Sequence, residues 1–190
     1  NIMIDSLLKN IERSKDSTIH KSLGLPNGNY AVLTLHRPSN VDDMASLERI
    51  ILALESIGEK IPIVFPMHPR TKNRIEEFGL KERVESIPNI IVSGPAGYLD
   101  FVALISKSNL VLTDSGGLQE ETTALGIPCL TIRENTERPI TVSEGTNQVV
   151  GSDTNSIIRN ADEILSGRGK TGRIPDLWDG KTAIRIADII

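Results

Sequence analysis

Four short stretches carry the residue types that do chemistry. The densest is Thr113-Asp114-Ser115-Gly116-Gly117-Leu118-Gln119-Glu120-Glu121. Two glycines let the backbone approach a ligand closely, and the free N–H groups of a first helical turn offer partial positive charge to a phosphate. Ser115 adds a hydroxyl donor. One turn further on, Glu120 or Glu121 can accept bonds from a ribose diol. A plain glycine turn before a solvated acidic helix is the alternative. In Thr34-Leu35-His36-Arg37-Pro38, the pair His36-Arg37 joins a titratable group to a permanent cation, suited to a diphosphate or to charge developing as it departs. Pro66-Met67-His68-Pro69-Arg70 repeats that pairing. Arg138, fixed beside Pro139 in Asn135-Thr136-Glu137-Arg138-Pro139, can hold a diphosphate against the glycine turn, or else form a surface ion pair with Glu134 or Glu137. Phe101 can pack under a base or in the core. Backbone groups of Gly94-Pro95-Ala96-Gly97 can read a base edge. His20 follows a polar stretch and reads as solvated.

The elements around these stretches explain why they would meet. Tyr30 to Leu35 is a continuous apolar, β-rich run after the turn residues Pro26-Asn27-Gly28-Asn29. Asp42 or Asp43 then caps a helix whose apolar positions Leu47, Ile50, Ile51, Leu54 and Ile57 keep a period of 3.6, ending near Gly58. Strands follow at Ile61 to Phe65, Ile90 to Val92, Leu110 to Thr113, Cys129 to Ile132 and Gln148 to Val150. Between and after them, helices are expected over Thr71 to Phe78, Tyr98 to Ser106, Leu118 to Leu125, Asn155 to Leu165 and Thr182 to Ile190. An N-terminal helix, Ile2 to Ser14, has Ile4, Leu7, Leu8 and Ile11 on one face. Such alternation predicts right-handed crossovers and an α/β, doubly wound, Rossmann-like parallel sheet. Ligands of these sheets bind outside the carboxyl ends of the strands, where all four stretches fall.

Composition narrows the partners. The 190 residues carry a net charge of −4, and one Trp, two Tyr and three Phe leave little for base stacking, so nucleic acid is not an expected partner. No apolar run approaches the ~20 residues of a membrane span, and Asn1 to Asp5 shows no export leader, which makes the cytoplasm the expected location. The single cysteine, Cys129, cannot form an internal disulfide and lies in an apolar run, where it reads as core. No Cys/His spacing suggests a metal.

The four stretches, in this order and spacing, resemble the non-hydrolysing UDP-N-acetylglucosamine 2-epimerases. TDSGGLQEE and TERPITVSEGTN are the most specific pieces, and Pro175-Asp176-Leu177-Trp178-Asp179-Gly180-Lys181 looks like the family's end. The resemblance implies the C-terminal, UDP-binding half of a glycosyltransferase-B-like two-domain fold. Residues 1–20 would form a linker helix, 21–190 the UDP-binding domain, and the N-terminal domain with its catalytic acids would be absent. It also implies interconversion of UDP-GlcNAc and UDP-ManNAc by elimination and re-addition of UDP, without NAD, metal or other cofactor. Residue by residue, His36 matches the reaction-centre histidine, with Arg37 beside it. Ser115, Gly116 and Gly117 match the diphosphate turn, Glu121 the ribose carboxylate and Arg138 the phosphate arginine. Ala96 and Phe101 match the uracil region, and His68 matches a histidine of a second UDP-sugar site in some members. The expected partners are UDP, a UDP-N-acetylhexosamine, the N-terminal domain and a second copy in a homodimer. A glycosyltransferase of the same two-domain class and a non-catalytic nucleotide-sugar-binding domain are the rival readings.

Overall fold

In a computed structural model, which describes residues 1–25 and 28–189, six strands form one parallel sheet. They are β1 (Ala31–Thr34), β2 (Ile63–Pro66), β3 (Ile90–Ser93), β4 (Leu110–Thr113), β5 (Cys129–Thr131) and β6 (Asn147–Val149), in the order β3-β2-β1-β4-β5-β6. The four central strands are short, mostly apolar runs, as expected when both faces are covered, whereas the edge strands β3 and β6 are only partly buried and β6 is largely polar. Alternation sorts their side chains: Ala31 and Leu33 of β1 join one core cluster, while Val32 joins another on the opposite face. Parallel register sets Thr34 of β1 beside Thr113 of β4, so these two strands end level.

Eleven helices complete the described chain: α1 (Ile2–Ser14), α2 (Ile19–Ser22), α3 (Pro38–Val41), α4 (Met44–Gly58), α5 (Pro69–Glu77), α6 (Lys81–Glu85), α7 (Tyr98–Ser106), α8 (Gly116–Leu125), α9 (Pro139–Ser143), α10 (Thr154–Leu165) and α11 (Thr182–Ala187). The periodic positions of α4 are all buried, on the face shared with α10. Asp43 caps α4 by accepting from the Ser46 N–H at 2.9 Å. Asp42 takes a different part, accepting from Arg70 and Arg74 of α5, which together hold its carboxyl at about 2. On the other face, α1 packs against α7 and α8, burying Ile4 and Leu7 with Val102 and Ala124, and the partly buried Trp178 packs against them. Leu8, expected on the same stripe, stays 36% exposed. The start of α11 folds back onto α1, where the Ala183 N–H donates to Asp5 at 2.8 Å.

Several details differ from the sequence reading. β2 begins at Ile63 rather than Ile61, and the last helix stops at Ala187, with Ile190 outside the described residues. Pro26 and Asn27 of the expected turn are outside them too. The short helices α2, α3, α6 and α9 have too few turns to show a hydrophobic period. His20 is not solvated: its Nε2 lies 2.8 Å from the Tyr30 hydroxyl, which donates to the buried Leu104 carbonyl at 2.6 Å. α2 folds that polar stretch over the start of β1, and burial, with Lys107 nearby, lowers the imidazole's pKa.

Gly58 marks a close approach. A Cβ there would lie 2.2 Å from the Pro88 carbonyl oxygen, a backbone atom that cannot step aside. Alanine normally favours a helix over glycine by about 1 kcal/mol, but overpacking of this kind costs about 1–3 kcal/mol. Gly58→Ala is therefore expected to destabilise the fold, lowering the urea midpoint; an unchanged or higher midpoint would refute the packing argument.

Candidate functional site

Strand order reverses direction between β1 and β4, and the crevice beyond their carboxyl ends is where a doubly wound sheet binds its ligand. β1 delivers His36 and Arg37 to this crevice, and β4 delivers Asp114 and Ser115. The Thr34 and Thr113 hydroxyls meet at 2.8 Å, and Thr113 also accepts from the Ser115 N–H at 3.0 Å.

Asp114 lies at the centre and is fully buried. It accepts from the backbone N–H groups of His36 at 3.0 Å and Arg37 at 2.8 Å, and from the Asn40 amide at 3.2 Å. Its second oxygen is 3.0 Å from His36 Nδ1. Burial pushes its carboxyl up, but the hydrogen bonds from His36 and Arg37 outweigh that and hold it below the usual carboxylate range. Asn40 also donates to the Ile132 carbonyl at 2.8 Å, tying α3 to the end of β5.

A pocket of about 320 Å³ opens beside this centre, lined by Met3, Thr34, His36, Phe101, Ser115, Gly117, Leu118 and Glu121. Five of the residues singled out in the sequence therefore share one wall: His36, Phe101, Ser115, Gly117 and Glu121. Ser115 is the N-cap of α8 in an extended conformation, and its side chain does not cap the helix. The backbone there is closely approached: a Cβ on Gly117 would come within 2.9 Å of Met3 Cε. Glu121 lies one turn in, buried, accepting from the Tyr98 hydroxyl at 3.2 Å. Burial raises its pKa; the bond from Tyr98 opposes the rise and the Glu120 charge adds to it. The Tyr98 phenol is pushed up to about 12 by burial, with Glu121 beside it.

The remaining expected residues stand around this pocket rather than in its wall. Arg37, His68 and Arg138 are each the N-cap of a helix whose first residue is proline. His68 lies with its ring centroid 5.7 Å from that of His36. Arg138 has neither expected carboxylate, Glu134 or Glu137, as its ion partner: Glu120 lies 3.2 Å from its Nε. Glu137 pairs with Arg133 at 2.9 Å and stands 3.9 Å from Arg37. A buried network holds the Arg138 backbone. Thr136 accepts from its N–H at 2.9 Å and donates to Gln119, which also accepts from Asn147 at 3.1 Å. Gly116 begins α8 next to Glu137. Ala96 lies partly buried in the loop between β3 and α7, and its neighbours Gly94 and Pro95 line a different, larger cavity. That cavity, about 580 Å³ and walled by Met67, Lys72, Ile75 and Val84, contains none of the strand-end acids or histidines.

The sequence reading gave no part to Asp114, Asn40, Tyr98 or Gln119. Asp114 had a usable signal, since a carboxylate ending the apolar run of β4 has to be buried and must find donors. Tyr98 and Gln119 had none, because their partners, Glu121 for one and Thr136 and Asn147 for the other, are brought to them only by the fold. Among the described residues no three His, Cys, Asp or Glu side chains converge as a metal-ligand set, and no helix is long and apolar enough to cross a membrane.

A family profile described as UDP-N-acetylglucosamine 2-epimerase matches residues 1–190. The chain belongs to that family. A UDP-N-acetylglucosamine 2-epimerase of Methanococcus maripaludis is 36% identical over 92% of this chain and 51% of its own length. A Pseudomonas aeruginosa UDP-2,3-diacetamido-2,3-dideoxy-D-glucuronate 2-epimerase is 42% identical over 75% of the chain and 38% of its own length. The crystal structure of the Methanocaldococcus jannaschii UDP-GlcNAc 2-epimerase in complex with UDP-GlcNAc and UDP superposes with a TM-score of 0.85 at 36% identity, over all of this chain and 54% of that one. The chain thus spans about half the length of the curated relatives it matches. Family membership sets aside the glycosyltransferase reading, and the fold is one Rossmann-like half of the glycosyltransferase-B-like architecture of these epimerases.

Glu121 gives this epimerase-family site a pH signature. Its raised pKa means that, as pH climbs from the unfolded value toward the folded one, the folded state holds more protons than the unfolded state and stability falls. Glu121→Gln removes that loss. The variant is expected to melt above the unaltered chain at neutral pH, with the gap closing in acid; a gap independent of pH would contradict the assignment.

Proposed function

We propose that the chain is the nucleotide-binding half of a UDP-N-acetylglucosamine 2-epimerase, which interconverts UDP-GlcNAc and UDP-ManNAc. The observation that carries this reading is the convergence of His36, Phe101, Ser115, Gly117 and Glu121 on one pocket at the switch point of a family member's sheet. In this reading uracil packs against Phe101 and the loop at Ala96, and the ribose diol bonds to Glu121. The diphosphate lies on the Ser115-Gly116-Gly117 turn and the Arg138 guanidinium, with the α8 N-terminus supplying backbone donors. His36 stands at the reacting centre with Arg37, and His68 borders it.

The reaction proposed removes the C2 proton and breaks the C1–O bond, whose electron pair leaves with UDP, giving a 2-acetamidoglucal. UDP then re-adds at C1 while a proton returns to the opposite face of C2. This half contributes a site that stabilises the departing diphosphate; an N-terminal half, joined through a helix within residues 1–20 to the domain over 21–190, contributes the base at C2. A second copy in a dimer and a cytoplasmic setting belong to the same reading. The lone, buried Cys129 thiol fits a reducing compartment. The 42% identity to the diacetamidoglucuronate epimerase supports a second sugar as an alternative substrate, because Phe101, Glu121, the glycine turn and Arg138 are assigned to the nucleotide, and nothing assigned reads the sugar's substituents.

Calorimetric titration with UDP is the direct test. Saturable binding is expected, with Glu121→Ala and Arg138→Ala each weakening it by roughly 10- to 100-fold, the worth of a charged hydrogen bond. The chain joined to the N-terminal half of a relative is then expected to form UDP-ManNAc from UDP-GlcNAc. Turnover of the diacetamidoglucuronate substrate alone would favour the second sugar, and unchanged UDP affinity in both variants would reject the site.

A further inference from the structure

We infer that the two histidines of the crevice are held in opposite tautomers, so that His36 presents a proton-accepting Nε2 and His68 a proton-donating Nε2–H. Asp114 is the positioning residue that fixes the first.

Asp114 is ringed by donors that cannot accept: the backbone N–H groups of His36 and Arg37 and the Asn40 side-chain amide all converge on its Oδ2, at 3.0, 2.8 and 3.2 Å. The His36 N–H also reaches Oδ1 at 3.2 Å, and the same oxygen lies 3.0 Å from His36 Nδ1. A carboxylate so surrounded is ionised and can only accept, so the proton of that contact belongs to Nδ1. Its low pKa agrees, the hydrogen bonds outweighing burial. In neutral His36 the lone pair is therefore on Nε2, on the edge of the ring turned away from Asp114.

His68 is held the other way. As N-cap of α5, its Nδ1 accepts from the backbone N–H of Arg70 at 3.1 Å. A backbone N–H can only donate, so this Nδ1 carries the lone pair and the proton sits on Nε2. The mounting is rigid on both sides. Thr71 donates to the buried Leu35 carbonyl just ahead of His36, and Arg70 and Arg74 grip Asp42 at the end of α3. The two rings, 5.7 Å apart and tilted by 41°, are thus alike in type and opposite in hydrogen-bonding sense.

The chemical consequence rests on the proposed function; the tautomers do not. With a nucleotide sugar in the crevice, His36 can take up one proton at Nε2 and return it, the resulting imidazolium facing the Asp114 carboxylate through its retained Nδ1–H. His68 can offer a hydrogen bond to an oxygen but cannot accept at Nε2 without releasing the α5 cap. The two are therefore not interchangeable.

Long-range ¹⁵N–¹H correlation spectra of the ¹⁵N-histidine-labelled chain, at a pH where the imidazoles are neutral, read both tautomers without ligand or turnover. His36→Gln and His68→Gln assign the signals. The expected result is Nδ1–H for His36 and Nε2–H for His68. In Asp114→Asn the new amide can turn a donor toward Nδ1, so the His36 signal is expected to switch to Nε2–H while His68 stays unchanged. An Nε2–H signal for His36 in the unaltered chain, identical tautomers for both residues, or an Asp114→Asn spectrum still showing Nδ1–H would overturn the inference. If loss of the buried carboxylate prevents folding, the unaltered spectra still decide. In the two-half enzyme, Asp114→Asn is expected to lower kcat by roughly 10²- to 10⁴-fold, the scale of a wrong-tautomer defect, with a much smaller change in UDP affinity. A defect confined to KM would reject the positioning role. Absence of epimerisation in the unaltered enzyme would reject the functional reading and leave the tautomers standing.

Discussion

A carboxylate taken out of water must recover its hydration from the protein, and removing one partner of such a buried charge typically costs about 3–5 kcal/mol. Asp114 is under that constraint at the switch point, fully buried at the end of β4. Its donors come almost entirely from the segment that follows β1: two successive backbone N–H groups and the amide of Asn40. For His36 and Arg37 to point their N–H groups at one anion, the chain must leave the strand direction at that residue and enter α3. Asn40 then spends its second amide proton on the Ile132 carbonyl, so the ends of β1, β4 and β5 are tied to a single side chain. The crevice is shaped by this requirement before any ligand is considered.

Around that centre one local device recurs. Arg37, His68 and Arg138 each precede a proline that opens a helix. Proline disfavours the helical region for the residue before it and suits the first helical position, where its missing N–H is no loss. The residue ahead of the proline is thereby left at the N-cap, off the helix path, and of the three only His68 turns its side chain back to cap its own helix. Ser115 reaches the same N-cap position without proline, through glycines at 116 and 117. The difference is chemical: at Arg37, His68 and Arg138 the side chain is what the crevice receives, whereas at the glycine turn the N–H groups themselves must be reachable.

These local rules explain what was legible in the sequence. Apolar runs located β1 to β5, the edge strand β6 is the largely polar Asn147–Val149 and was placed one residue late, and the period of α4 named its buried residues. Strand-end position singled out His36, Ser115, Gly117 and Glu121, which share the pocket wall. As the alternative to a diphosphate, the sequence offered Arg138 only an ion partner in its own loop, since distance along the chain was the only guide; in space the side chain crosses to Glu120 on α8. His20 was misread for the same reason, its partner Tyr30 lying across a turn. Ala96 shows the opposite limit: its place in the β3–α7 loop was readable, but whether that loop faces the pocket depends on how α7 tilts, which no residue type announces.

The charges of the crevice bear on how an acidic chain can hold an anion. Each arginine near the glycine turn already has a carboxylate in reach: Glu120 for Arg138, and Glu137 for Arg133 and Arg37. These pairs are half-exposed, with Glu120 and Arg133 the more buried members, and they neutralise the mutual repulsion of the guanidinium groups. A diphosphate arriving there would trade weak partners for itself and gain the α8 backbone donors that no carboxylate of the chain takes up. Glu121 is arranged otherwise. It is buried, carries a raised pKa and is held by Tyr98 rather than by a cation. Such a group gains most from new hydrogen-bond donors, because its desolvation cost is already met by the fold. The crevice thus separates its two tasks: charge-compensated cations where negative charge would enter and leave, and a buried acceptor where neutral hydroxyls would be read.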